Sequence, residues 1–239
     1  MAPITISVEG NIGAGKSTFI DSFDEDDIEV AKEPLHLWQN VGGGGENLLS
    51  RMYENPKQNS FLFQMYALLT TFKDHMAHRL YGTKARMVER FMGSMCFIKN
   101  SHKAGNLTHT EFHVLTDWIH YLKWSSQMEM KADVIVYLRT SPEKAFERIK
   151  KRKREEELNI PFEYIQQLHK YHEEWLMDKN MQIHMDYKVI VIDADLDLPE
   201  LTSVYEETRK EILEIVRKCG SDLGSSFLLF MTPHSLSSH

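Results

Sequence analysis

The segment Gly10-Asn11-Ile12-Gly13-Ala14-Gly15-Lys16-Ser17 places two glycines, with four residues between them, ahead of Lys-Ser. Glycines let backbone N–H groups turn inward and cradle phosphate oxygens. Lys16 would reach the terminal phosphates of a nucleotide, and Ser17 would hold Mg²⁺. A helix starting at this point aims its positive end at the anion. Average glycine usage gives such a match by chance with odds of about one in a hundred. Here it also follows a strand-like run and precedes a helical one, the context a phosphate-binding loop (P-loop) needs. The loop points to a nucleotide but does not separate a kinase from a GTPase or an ATPase motor. No Asn-Lys-x-Asp pattern for reading guanine is present, which lowers the GTPase option.

Three further groups could supply the rest of a phosphoryl-transfer site. Glu33-Pro34 follows the second strand-like run, and ligands of parallel α/β sheets bind beyond the carboxyl ends of strands. A carboxylate there could take the proton of an attacking hydroxyl; a solvated loop glutamate fits its position equally well. Glu89-Arg90 follows the third run in the same way. Glu89 could share Mg²⁺ with Ser17, and Arg90 could neutralise charge between acceptor oxygen and phosphate. A surface ion pair is the competing explanation. The densest charge run is Arg148–Glu157. Solvated helix ends are the usual fate of such runs, and Lys150–Arg154 also reads as a nuclear-import signal. A basic run in an acidic chain, between a strand and a Pro-started helix, favours a lid whose arginines close over phosphates.

These groups need a frame. Strands are predicted at Ile4–Val8, Ile28–Lys32, Ala85–Val88, Val134–Leu138 and Val189–Ile192, alternating with helical patterns. That alternation specifies an α/β fold with a parallel sheet covered by helices. Ser141 should cap a helix with Pro142 at its first position, and that helix should run to about Glu157. Pro56 should close a helix over 46–53, and a last helix should occupy 199–219. Residues 220–239 are serine-rich and read as a disordered tail, leaving 1–219 as the domain. At 239 residues the chain can bury a sizeable core without staples. Two cysteines exclude a disulfide framework and favour a reducing, cytoplasmic or nuclear setting. A net charge of −7 argues against nucleic acid or an anionic membrane as main partner. No apolar run is long enough to span a bilayer, and the early strand leaves no room for a transit peptide. His169, His172 and the adjacent Glu173 read as structural rather than metal-binding, and Met92, Met95, Met128 and Met130 as gap fillers.

Together the residues resemble the deoxyribonucleoside kinase family, closest to its insect multisubstrate and mitochondrial thymidine kinase branches. The resemblance rests on Val8–Thr18, Lys32-Glu33-Pro34 with Trp38, Asn47–Tyr53, Phe63–Tyr66, Glu89-Arg90, Tyr137–Glu143, Glu147–Glu157, His169–Leu176 and Asp193–Leu196. It implies a P-loop kinase fold with a five-stranded parallel sheet and a basic lid. It also implies ATP and Mg²⁺ as cofactors, transfer to the 5′-hydroxyl of a deoxynucleoside in nucleotide salvage, and a homodimer built on helices near 92–103 and 108–123. By the same resemblance Glu33 is the base and Arg90 holds it. Gly10, Asn11, Ile12, Gly13, Ala14, Gly15, Lys16, Ser17 and Thr18 form the donor loop. Arg148, Arg152 and Arg154 bind donor phosphates, and Asp193 and Asp195 lie beside the adenine. Ser17 and Glu89 are the metal positions. Tyr53 and Glu157 grip the 3′-hydroxyl, and Gln64 hydrogen-bonds the base, since an amide offers both donor and acceptor. Trp38, Phe63 and Phe97 wall the base pocket, with Ala67, Thr71 and Met95 lining it. Phe91 stands where the family has serine, and the segment leading to Phe97 is shorter, so the base preference reads only as pyrimidine or broad. Two alternatives stay open: a thymidylate-type monophosphate kinase, and a nucleotide-binding regulator that has lost catalysis.

Overall fold

Val134–Arg139 (β4) is buried along all but its last residue, as expected for a strand covered on both faces. Around it stand β1 (Ile4–Gly10), β2 (Ile28–Ala31), β3 (Ala85–Glu89) and β5 (Lys188–Asp193). In the computed structural model they form one sheet in the order β2-β3-β1-β4-β5, with every pairing parallel. The structure describes residues 4–23, 28–77, 85–90, 95–125, 132–178 and 187–228. Met92, Met128, Met130 and Phe91 lie outside them, so the expectations attached to those residues do too. No helix among the described residues is long and apolar enough to cross a membrane.

The register explains where a site can form. Ala31 pairs with Val88, Val8 with Glu89, and Gly10 with Leu138. The carboxyl ends of β2, β3 and β1 therefore finish side by side. Strand order reverses around β1, and the crevice at such a switch point is where doubly wound sheets bind ligands. Among the described residues up to Asp197 the helices are α1 (Lys16–Ile20), α2 (Leu35–Gln39), α3 (Leu48–Glu54), α4 (Pro56–Ala77), α5 (Cys96–Lys103), α6 (His109–Ser125), α7 (Pro142–Arg152) and α8 (Phe162–Leu176). One face of β4 packs through Ile135 and Tyr137 on Leu176 of α8. Cys96 is buried beside Ile12, Ala145, Ile149 and Ile165.

Local chemistry sets the helix ends. The Ser141 hydroxyl accepts from the Lys144 N–H at 3.3 Å, with Pro142 first in α7, as the sequence specified. Pro56 differs from expectation. It opens α4 rather than closing α3, because a proline at the first helical position forfeits no intrahelical hydrogen bond. The charge run differs as well. α7 stops at Arg152, Lys153 takes a left-handed conformation (φ 51°), and Glu155–Glu157 form a separate 3₁₀ turn. That reversal folds the run back on itself.

The chain divides into two compact units, Met1–Asp197 and Leu198–His239. The second contains one long helix, α9 (Leu198–Leu228), with Ile212 and Val216 buried. Residues 220–228, expected in the tail, continue this helix. Residues 229–239 lie outside the described part.

Candidate active site

A cavity of about 410 Å³ opens at the carboxyl ends of β1, β2 and β3. The loop between β1 and α1 forms one wall. Gly13 has φ 78° and lies under α7, where a Cβ would meet the Ala145 carbonyl oxygen at 2.5 Å. Glycine at this position therefore lets α7 approach the loop, besides freeing backbone N–H groups. Gly15 also takes a positive φ and ends the loop at the first turn of α1. Ile12, Gly13, Gly15, Lys16, Ser17 and Thr18 line the cavity. Gly10, Asn11 and Ala14 do not, and they shape the loop from behind. Asn11 donates from its side chain to the Ile165 carbonyl at 2.9 Å, while its own carbonyl accepts from Lys16 Nζ at 2.9 Å.

Lys16 is almost fully buried. Burial, then the nearby Arg90 charge, depress its pKa to about 8; Glu89 and Glu33 oppose this. Glu89 lies 4.0 Å from Lys16 Nζ and accepts from the Ser17 hydroxyl, with both carboxylate oxygens 3.2 Å away. The Ser17–Glu89 pair thus presents only oxygen donors, which suit a hard divalent cation.

Glu33 and Arg90 meet because β2 and β3 are neighbours. Arg90 donates from Nη1 directly to the Glu33 carboxylate and approaches the Gly10 carbonyl with Nη2 at 3.4 Å. Its guanidinium also stands 4.6 Å from the Phe97 ring centre. Burial would raise the Glu33 pKa, but the Arg90 and Lys16 charges outweigh it and hold the carboxyl below the usual range. Arg90 itself occupies left-handed backbone (φ 58°), which a non-glycine residue adopts only under constraint.

The far wall is apolar and comes from α2, α3, α4 and α5. Trp38 stacks edge-on to Phe63 (5.4 Å between ring centres) and donates from its indole to Thr70 at 2.9 Å. Gln64, Ala67, Phe97, Trp38, Phe63 and Tyr53 all line the cavity. Thr71 and Met95 do not. Met95 packs instead with Ile98, Leu115 and Ile119 beside α6. The lining includes Leu35, Leu49 and Met52, which sequence reasoning did not single out.

The basic run closes the third side. Arg148, Arg152, Arg154 and Glu157 line the cavity. Glu157 is buried and accepts from Arg152 Nε and from Arg154 Nη1, each at 2.8 Å. Arg148 donates to the Ala194 carbonyl at 2.8 Å, and its buried Nη1 has no hydrogen-bond partner among the described residues. Tyr53 is held protonated, its pKa raised by burial, then by Tyr164 and by the Glu157 carboxylate. Asp193 and Asp195 do not reach the cavity. The Asp195 side chain accepts from the Ser141 N–H at 2.9 Å, so this turn braces the start of α7. His172 is buried and hydrogen-bonded through Nδ1 to the Leu168 carbonyl, and Glu173 takes Tyr137 and Arg139. No group of three metal-ligating side chains occurs among the described residues.

A deoxynucleoside kinase family model matches residues 6–218. The chain is 36% identical to human (Homo sapiens) mitochondrial thymidine kinase 2 over 211 residues, covering 87% of this chain and 77% of that protein. It is 32% identical to deoxycytidine kinase of Rattus norvegicus over 238 residues, covering 87% and 90%. Deoxycytidine kinase 2 of Gallus gallus is 34% identical over 218 residues, covering 80% and 82%. The cavity described above draws every lining residue from within that matched stretch, and the chain belongs to the deoxynucleoside kinase family.

Proposed function

We propose that this protein transfers the γ-phosphoryl group of ATP to the 5′-hydroxyl of deoxyribonucleosides, forming deoxynucleoside monophosphates for nucleotide salvage. One observation carries the reading. A single cavity joins a phosphate-binding loop to an apolar pocket holding one amide, with an arginine-held carboxylate between them. The kinase unit is assigned to residues 1–219, with 220–239 as an appended tail, in keeping with the family match ending at 218.

Phosphoryl transfer needs positioning and charge stabilisation more than covalent chemistry. The loop N–H groups and Lys16 bind the β- and γ-phosphates. Arg148 and Arg152 of α7 and Arg154, which precedes the 3₁₀ turn, close on them, and the Arg148 Nη1 has no partner among the described residues. Ser17 and Glu89 would hold Mg²⁺, which would supply positive charge against the donor phosphates. Glu33 takes the proton of the 5′-hydroxyl, and Arg90 fixes that carboxylate and faces the developing charge. Tyr53 and Glu157 hold the 3′-hydroxyl as donor and acceptor. Gln64 hydrogen-bonds the base edge, with Trp38, Phe63, Ala67 and Phe97 as walls. Asp193 and Asp195 act on the donor side by bracing α7. The relatives are named for thymidine and deoxycytidine, so pyrimidine deoxynucleosides are the assigned acceptors.

An ADP-release assay with thymidine, deoxycytidine and thymidylate separates this reading from a monophosphate kinase. ADP release with the nucleosides is the expected outcome. Release with thymidylate alone would replace the proposal.

The functional unit is assigned as a homodimer. α4 and α6 expose Leu62, Leu69, Val114, Trp118, Tyr121 and Trp124. An apolar groove of about 270 Å³ runs between them. Exposed apolar patches of this kind mark docking surfaces, and a second copy would bury this one against itself. This face keeps α6 of the two helices implied by the resemblance and adds α4; Cys96 and Ile98 of α5 are buried in the core. Sedimentation should give a dimer for the wild type and a monomer for Leu69→Glu combined with Trp118→Glu; a dimer in that variant would exclude this face.

A further inference from the structure

Glu156 lines no part of the cavity, yet it joins two of its walls. It sits in the 3₁₀ turn Glu155–Glu157. Its neighbour Glu157 gathers Arg152 and Arg154. Glu156 turns the other way. Its Oε1 accepts from Gln39 Nε2 at 2.8 Å and from Asn47 Nδ2 at 2.9 Å. These contacts span more than a hundred residues of sequence. Gln39 is the last residue of α2 and follows Trp38 directly. Asn47 caps α3, its Oδ1 accepting from the Ser50 N–H at 2.9 Å, and α3 carries Met52 and Tyr53 into the cavity. The two amides, with the Glu156 backbone N–H, keep its carboxyl ionised against the opposing effect of burial. Charge-assisted hydrogen bonds of this kind are shorter and stronger than neutral ones.

We propose that Glu156 is a positioning residue that couples the donor lid to the nucleoside pocket. This rests on the reading above, in which the turn holds two donor-binding arginines through Glu157 and α2–α3 walls the nucleoside. Closure of the arginines on a triphosphate draws the turn inward, and Glu156 draws α2 and α3 with it. Linkage makes the effect reciprocal. Bound deoxynucleoside therefore raises affinity for the donor, and bound donor raises affinity for the deoxynucleoside.

Asn47 permits a test that leaves the helix cap in place. Asn47→Asp keeps an oxygen for the Ser50 N–H but replaces the Nδ2 donor with an oxygen facing Glu156. Calorimetry would measure binding of a non-hydrolysable ATP analogue with and without thymidine or deoxycytidine. In the wild type the deoxynucleoside should tighten the analogue by about tenfold, within the usual range for linked sites. In Asn47→Asp that tightening should vanish and the nucleoside KM should rise, while analogue affinity without nucleoside stays unchanged. Asn47→Asp combined with Glu156→Gln restores one donor and one acceptor in reversed order, and should recover the coupling. Equal coupling in wild type and Asn47→Asp would overturn the inference, as would a double variant no better than the single one. Absence of coupling in a wild type that phosphorylates deoxynucleosides would overturn it and leave the proposed function standing. Absence of both nucleoside binding and turnover would remove the proposed function, and this inference with it.

Discussion

Glu33→Gln is expected to lower kcat by about a hundredfold to ten-thousandfold, the usual contribution of a positioned general base. The amide has the same shape and can still accept from Arg90, so the cavity should keep its form and the nucleoside KM should change little. What it lacks is a basic oxygen. In the native site Arg90 and Lys16 keep Glu33 ionised despite its burial, so the base is ready across the neutral range. On the acid side, activity in the wild type should fall when the pH drops into the range where a depressed carboxyl takes up a proton. The variant should lose that acid limb as well as its rate. Steady-state kinetics with a deoxynucleoside and ATP measure both. Near-normal turnover in Glu33→Gln would show that the proton goes elsewhere.

Lys16→Met is expected to cost a comparable amount, about a thousandfold in kcat/KM for ATP, since preorganised charges at the transferring group contribute on this scale. Methionine retains much of the stem but removes the ammonium. Without ligand, burial and Arg90 hold the Lys16 pKa at about 8. A triphosphate brings negative charge to the ammonium and raises that value. The sign follows directly. At pH 8 a sizeable fraction of Lys16 is neutral in the free protein and becomes protonated in the complex, so ATP binding takes up protons. At pH 6 it is already protonated and this uptake disappears. Calorimetry in two buffers of different ionisation enthalpy reads the difference. Lys16→Met should abolish the uptake at pH 8; an unchanged proton count there would place the titrating group elsewhere.

How much of this was legible in the sequence depends on how local the cause is. The phosphate loop was readable because its chemistry lies in a short run of glycines and a lysine. Glu33 and Arg90 were equivocal on position alone. They become a pair only through the pairing of β2 with β3, which is non-local. The walls were read in part. Phe63, Gln64 and Ala67 share one side of α4, but Thr71, a further turn along, falls beyond the cavity. Leu35, Leu49 and Met52 were missed because an aliphatic residue at helical spacing looks the same whether it lines a core or a ligand pocket. The fold-back of the charge run was invisible for another reason. It turns on Lys153 in a left-handed conformation, and no glycine advertises it. Asp193 and Asp195 were expected beside the donor adenine; that Asp195 braces α7 through the Ser141 N–H, with Asp193 accepting from the Asp195 N–H, needed the tertiary structure.

The central claim is tested most directly by incubating the protein with ATP, Mg²⁺ and each of the four natural deoxynucleosides in turn, with thymidylate alongside, and identifying the products. The account predicts 5′-monophosphates from thymidine or deoxycytidine, formed in step with ADP. ATP binding with no phosphorylated product from any of the four would contradict it.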